Sequence, residues 1–410
     1  MPFDNVLMRR RGFLAGGGAA ALAAMLPRAV LADAPTDKRL VVIVLRGAMD
    51  GLNVVVPYGD PHYAPLRGQI ALARPGEPDG VIDLDGFFGL HPALDAVAPW
   101  YKEGGLLPIH AVASPYRDRS HFDGQDVLEN GMITPHAANS GWLNRAIAAM
   151  GGGDRRIGLA VGQTIPLVLR GATAVASWAP TKIPAADPGF LSLVQTVYQG
   201  DPLLSAALAG GIAANQAADR AFGGDPEAMD GGAGGAAAYK GQRILADAAG
   251  RMLADPAGPR IAALDAYGWD THAGQGAAKG RLAGALGGLV VSLTQLRQSL
   301  GPVWKDTIVV MATEFGRTVR VNGTGGTDHG SGGAMLLAGG GVAGGKVIAK
   351  WPGLSEAALY QDRDLAPTTD LRAVLKAVLR EHMRIPADRL EATIFPNSAD
   401  ARPIAGIAAA

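Results

Sequence analysis

The chain has 410 residues and carries 37 basic and 37 acidic side chains, a formal net charge of zero. That balance argues against the basic face that nucleic-acid binding requires, so no nucleic-acid partner is expected. The chain has no cysteine, which excludes disulfides, thiolate metal ligands and a cysteine nucleophile together. At the N-terminus Arg9, Arg10 and Arg11 precede Gly12, Phe13 and Leu14. This is the arginine pair plus apolar pair that the twin-arginine translocon reads as an address. The apolar run from Ala15 to Leu26 is shorter than the ~20 residues that span a bilayer. Ala29-Val30-Leu31-Ala32 offers a cleavage site before Asp33. The expectation is a signal peptide over residues 1–32, and the translocon as partner during export. A mature chain of residues 33–410, with no transmembrane anchor after cleavage, would then be periplasmic or secreted.

Beyond Asp33, five apolar runs read as strands buried on both faces: Leu40–Leu45, Leu106–Val112, Arg260–Tyr267, Thr307–Ala312 and Ala334–Ala338. Helical spacing appears in Leu282, Leu286, Leu289, Val290, Leu293, Leu296 and Leu300. It recurs in Leu371, Val374, Leu375, Val378 and Leu379, after Pro367-Thr368-Thr369-Asp370, whose aspartate suits a helix N-terminus. Strands alternating with helices predict an α/β fold with a mostly parallel central sheet covered on both faces. Residues 180–240 are rich in Ala and Gly without a strong strand, and Gly223–Gly235 reads as a loop. That stretch is expected to be a helical insertion in a single domain.

In open α/β sheets a ligand sits beyond the carboxyl ends of the strands. Asp50, Asp270, His272 and Glu314 each follow a strand's C-terminal end, and His329 stands just before the fifth strand. Carboxylates and imidazoles gathered at one edge form a ligand set for divalent ions. Each has a plainer reading: Asp50 or Glu314 as a helix cap, His272 or His329 as a loop histidine with its hydrogen bonds met. Ser120 lies in the dense polar stretch Tyr116–Asp126, at the start of a helix. There it reads as a nucleophile whose pKa a nearby metal lowers, or as a simple N-cap. Arg117 and Arg119 read as a clamp for a phosphate or sulfate, or as surface charges. His110 lies inside a strand pattern, His62, His91, His136 and His382 have no cluster around them, and all five read as structural.

Five segments carry a resemblance. They are Leu45–Asn53 (Leu-Arg-Gly-Ala-Met-Asp-Gly-Leu-Asn), Arg119–Asp123 (Arg-Ser-His-Phe-Asp), Trp269–His272, Thr313–Arg317 and Gly326–Gly330. Over nearly the whole mature chain they resemble the exported bacterial family catalogued as domain of unknown function 1501, placed with the alkaline phosphatase and sulfatase superfamily. The resemblance implies an alkaline-phosphatase-like three-layer α/β/α sandwich with a two-metal hydrolytic site. Asp50 matches the opening metal aspartate. Asp270 and His272 match the aspartate–histidine pair, at a tighter spacing than phosphatases use. His329 matches the late histidine ligand. Thr313-Glu314-Phe315-Gly316 stands where phosphatases carry serine-aspartate-histidine-glycine, so Phe315 removes one ligand of the second metal unless His121, Asp123 or Asp328 replaces it. Ser120 matches the nucleophile. With no cysteine to become formylglycine, the usual sulfatase chemistry is excluded.

The resulting expectation is an exported hydrolase of phosphate or sulfate esters, on a small molecule or a polysaccharide, using one or two zinc, manganese, magnesium or calcium ions. The alternative is a non-catalytic envelope or secreted binding protein that keeps the hydrolase fold and part of the metal site.

Overall fold

The computed structural model describes residues 36–151, 157–180, 188–202, 204, 205, 207–209, 211, 212 and 235–409. The arginine leader, its cleavage site and nearly all of Gly223–Gly235 lie outside the described residues.

Among the described residues eleven strands follow in chain order: β1 Arg39–Arg46, β2 Val55–Val56, β3 Ile82–Asp83, β4 Gly89–Leu90, β5 Leu106–Ala113, β6 Gly158–Val161, β7 Ala176–Trp178, β8 Ile261–Tyr267, β9 Thr307–Ala312, β10 Gly333–Ala338 and β11 Thr369–Asp370. Eight form one sheet in the order β11-β5-β10-β9-β1-β8-β6-β7, and β2-β4-β3 form a small second sheet. All five predicted runs are strands of the large sheet, although the third begins at Ile261 rather than Arg260. β1 lies near its centre, parallel to β8 and β9. Its unbroken apolar run follows from that position, because both faces are covered.

Alternate residues of β1 serve the two faces. Val41, Ile43 and Leu45 pack toward the helices Gly235–Ala254 and Arg281–Leu300. Leu40, Val42 and Val44 pack toward the helices Trp142–Ala149 and Leu371–Ala377. The architecture is an α/β/α sandwich, as expected. Asp370 caps the last of these helices, its side chain accepting from Arg372 N at 2.8 Å. Within the predicted insertion the helix Pro188–Tyr198 is present. The helix Gly235–Ala254, which begins inside that stretch, belongs to the sandwich layer instead, because its apolar face meets Arg281–Leu300. No helix among the described residues is long and apolar enough to cross a membrane.

One reversal positions the site. β10 runs antiparallel to both β5 and β9, whereas the other adjacent pairs in this sheet are parallel. The start of β10 therefore lies at the edge where β1, β5, β8 and β9 end, and a residue just before it joins residues just after them.

Two buried histidines have a measurable consequence. His110 Nε2 lies 2.9 Å from Val55 O, and His382 Nε2 lies 2.8 Å from Arg39 O. Burial pushes each pKa down to about 4. The unfolded chain takes up protons near 6.5, before the folded chain does. Stability is therefore full above that pH and is lost as pH falls toward 4, at roughly 1.4 kcal/mol per pH unit for each histidine. Urea unfolding is expected to shift to lower midpoints between pH 7 and pH 5, with both imidazoles still neutral by NMR at pH 5. Titration of either ring near pH 6.5 would contradict this.

Candidate metal centre

Five chain segments meet at this edge. The turn after β1 runs from Gly47 to Asp50, and the turn after β8 carries Asp270 and His272. The turn after β9 carries Glu314, Phe315 and Arg317, and the loop before β10 carries Asp328 and His329. After β5 the chain enters the helix His121–Asn130 through Ser120. The β9 and β10 segments are laced by backbone bonds, Gly316 N to Ser331 O at 3.0 Å and Gly330 N to Gly316 O at 2.8 Å. This approach requires glycine: a Cβ on Gly316 would stand 1.9 Å from Gly332 O, and one on Gly326 would stand 2.3 Å from the carbonyl oxygens of Thr271 and His272.

Side-chain atoms converge inside this frame. His121 Nε2 lies 3.5 Å from Asp270 Oδ1, His272 Nε2 3.2 Å and His329 Nε2 3.7 Å. His272 Nε2 and His329 Nε2 are 2.9 Å apart. One ligand atom each from His121, Asp270 and His329 falls within 4.8 Å of the others. Four ligands at about 2.0–2.1 Å from a tetrahedral zinc stand roughly 3.3 Å from one another, so the observed spacing suits one ion.

The opposite ring nitrogens explain why the Nε2 atoms point inward. His329 Nδ1 lies 2.8 Å from Arg119 O, a carbonyl that can only accept, so Nδ1 carries the proton. His272 Nδ1 faces Asp328 Oδ1 at 3.2 Å, and His121 Nδ1 faces Glu314 Oε1 at 2.7 Å. With Nδ1 of His272 and of His329 donating to oxygen, two lone pairs confront each other across 2.9 Å. A proton or a metal cation must hold them together. His121 Nε2 is buried and has no hydrogen-bond partner. A single proton between His272 and His329 would leave that orphan unmet, whereas an ion answers both.

Electrostatics agree with this division of roles. Glu314 is fully buried, which works against ionisation, but bonds from His121, Gln125 and Thr313 outweigh that and hold its pKa below the carboxylate norm. Its Oε1 also accepts from Gly47 N at 2.9 Å. The hydrogen bond to Glu314 raises the His121 pKa, whereas burial lowers that of His329. Asp270 is opposed by burial but held ionised by Arg317, which bonds its Oδ1 directly. Arg317 also donates to Ala48 O and Thr327 O, at 2.8 and 2.9 Å. Phe315 stacks on His121 at 5.1 Å and lies 5.2 Å from His329. The residue that cannot be a ligand is a wall for two that can.

The other expected site residues take different places. Asp50 is paired in the interior with Arg67, and its Oδ2 accepts from Gln275 Nε2 at 2.6 Å, while its buried Oδ1 has no hydrogen-bond partner. Glu314, also an expected ligand, spends its oxygens on the donors above and faces His121 from behind. Asp328 likewise backs His272. Asp123 meets Tyr116 Oη at 3.4 Å and His136 Nε2 at 3.6 Å, apart from the cluster. Arg119 is bound by Asp364 and Gln361, and Arg117 by the carbonyls of Ser114 and Tyr116, so both expected anion clamps are engaged internally. Ser120 does not cap its helix with its hydroxyl. It stands between Arg119, whose carbonyl holds His329, and His121.

Sequence reading gave no role to Arg67, Gln275 or Arg317. Gln275 Oε1 accepts from Thr271 Oγ1 and Thr327 Oγ1, each at 2.8 Å, tying the two ligand loops together. Arg119 has φ +61°, an uncommon backbone conformation for a non-glycine residue, and its guanidinium pairs with Asp364 at 2.8 Å. Apart from Thr271 and Gln275, four residues apart, these partners are distant from one another in sequence.

A family model described as "Protein of unknown function (DUF1501)" matches residues 98–394. No curated protein matches the chain. Among solved structures, the chain is similar to a crystal structure of Ps i-CgsB in complex with k-i-k-neocarrahexaose, at 9% identity and a TM-score of 0.40, over 89% of this chain and 77% of that one.

In metal-free protein His121 is expected to hold its proton to higher pH than His329. Substitution Glu314→Gln should lower the His121 titration, because it removes the charge that raises it. Imidazole NMR titrations of wild type and variant would show this, and an unmoved His121 midpoint would refute it.

Proposed function

This chain belongs to the family described as Protein of unknown function (DUF1501), and from its cluster we infer a metal-dependent hydrolase of phosphate or sulfate esters. The observation that carries the reading is the set of three imidazole Nε2 atoms facing one carboxylate oxygen, with each Nδ1 held by an oxygen behind it. Histidines oriented in this way by a second layer are the usual build of a catalytic metal site. Asp270 is about half exposed and His272 only slightly less so, which leaves an open side for substrate.

His121, Asp270, His272 and His329 would hold the ion, and an N3O set favours zinc or manganese over magnesium or calcium. When bound, a divalent ion supplies a Lewis acid that polarises an ester oxygen and acidifies water. The residues do the rest. Glu314 keeps His121 Nε2 turned inward, Asp328 and Arg119 O do the same for His272 and His329, and Arg317 fixes Asp270. Ser120, beside His121, is the candidate nucleophile, with water as the alternative attacker.

A second reading is a non-catalytic binding protein on the same fold. The internal engagement of Arg117 and Arg119 favours it, since no free arginine is left at those positions to clamp an anion. Metal analysis of purified protein separates the readings together with a screen of phosphate and sulfate esters. The hydrolase predicts about one zinc or manganese per chain. It also predicts at least a hundredfold loss of turnover in Asp270→Asn and His329→Ala. If Ser120→Ala retains activity, water is the attacker. Metal without turnover supports the binder, and no stoichiometric metal sinks both.

The leader supports export by the twin-arginine route to the periplasm or beyond, with metal loading before crossing. Replacing Arg10 and Arg11 by Lys together is expected to leave full-length protein in the cytoplasm of a bacterial host. Unchanged export would remove the leader as evidence.

A further inference from the structure

Two large aromatic side chains stand in solvent beside the cluster. Phe122 is 88% exposed and Tyr267 is 63% exposed. Single exposed apolar residues are common and need no account; the position of this pair does. Phe122 follows His121 directly, and Tyr267 ends β8 three residues before Asp270. His121 and Asp270 themselves touch, at 3.5 Å.

Arg46 links the elements that carry the two rings. Tyr267 is the cross-strand partner of Arg46 in the β1–β8 ladder, and its hydroxyl bonds Asp265 Oδ2 at 3.3 Å. Arg46 Nε bonds Asp265 Oδ1 at 2.8 Å, and its Nη1 bonds Gln125 at 2.9 Å, one turn beyond Phe122 on the same helix. A continuous line of contacts thus runs from one ring to the helix turn that bears the other.

We propose that Phe122 and Tyr267 form a stacking rim for a saccharide chain that carries the ester. This rests on the hydrolase reading above and names its substrate class. The open form of the rim selects the occupant. Small ligands are held in concave sites that bury most of their surface, and these rings are too exposed for that. An extended polymer needs only flat faces along its path. A sugar ring offers an apolar C–H face to an aromatic ring and hydroxyls to the polar groups between them, here Arg46, Asp265 and Gln125.

Affinity electrophoresis of the mature protein tests this, in gels containing dextran sulfate, unsubstituted dextran, mannan or no polysaccharide. Retardation is expected in at least one polysaccharide. The pair Phe122→Ala with Tyr267→Ala should weaken it at least fivefold, with no change of charge to explain the loss. Asp270→Asn should remain retarded. With a polysaccharide ester the double variant should raise KM about tenfold at nearly constant kcat, and leave hydrolysis of glycerol phosphate unchanged. Retardation without hydrolysis of any ester would sink the hydrolase reading and leave the saccharide surface standing. Hydrolysis of glycerol phosphate, with no retardation in any gel or with retardation indifferent to the two aromatics, would overturn the rim.

Discussion

The direction of β10 decides whether the cluster of histidines and Asp270 forms at all. Were it parallel to β5 and β9 like its neighbours, its N-terminal end would lie at the opposite edge of the sheet, and His329 with it. Running the other way, it delivers His329 to the carboxyl ends of β1, β8 and β9. The glycines at 316 and 326 then let the loop before β10 close on the loops after β9 and β8 without side chains between them. Placement comes from topology, and the close fit from the missing Cβ atoms.

Orientation comes from a second source, a set of buried polar groups beneath the cluster. Asp50, Arg67 and Gln275 are all fully buried, as are Thr271 and Thr327. Buried polar groups left unpaired cost about 1–3 kcal/mol each, so these partners constrain one another strongly. Gln275 receives hydroxyls from both ligand loops and gives its amide to Asp50. Arg67 returns to the carbonyls of Thr318 and Val319, beyond Arg317. The strand-end aspartate after β1 thus organises the loops from below.

The long strands were legible because burial on both faces writes itself as unbroken apolar runs. The short strands β6, β7 and β11 were not, since two to four residues show no period. Strand-end position pointed correctly to the edge where Asp50, Asp270, His272 and Glu314 lie. It could not tell which of them face each other, because that depends on partners distant in sequence. Asp50 turns to Arg67 and Gln275, and Glu314 turns to the back of His121. His121 entered only as a replacement for the ligand lost at Phe315, yet its Nε2 is the buried orphan atom of the cluster.

Gln275 has a property that a charged residue in its place would lack. Its amide neither gains nor loses a proton across the working range of pH, and bulk salt screens its short hydrogen bonds little. One joint between the Asp270–His272 loop and the Asp328–His329 loop is therefore neutral, beside the charged one that Arg317 makes to Asp270 and Thr327 O. Acidity acts on the imidazoles and carboxylates carried by those loops, while this amide keeps its charge state. Part of the geometry at this centre is thus held by a group that takes no share in its titration.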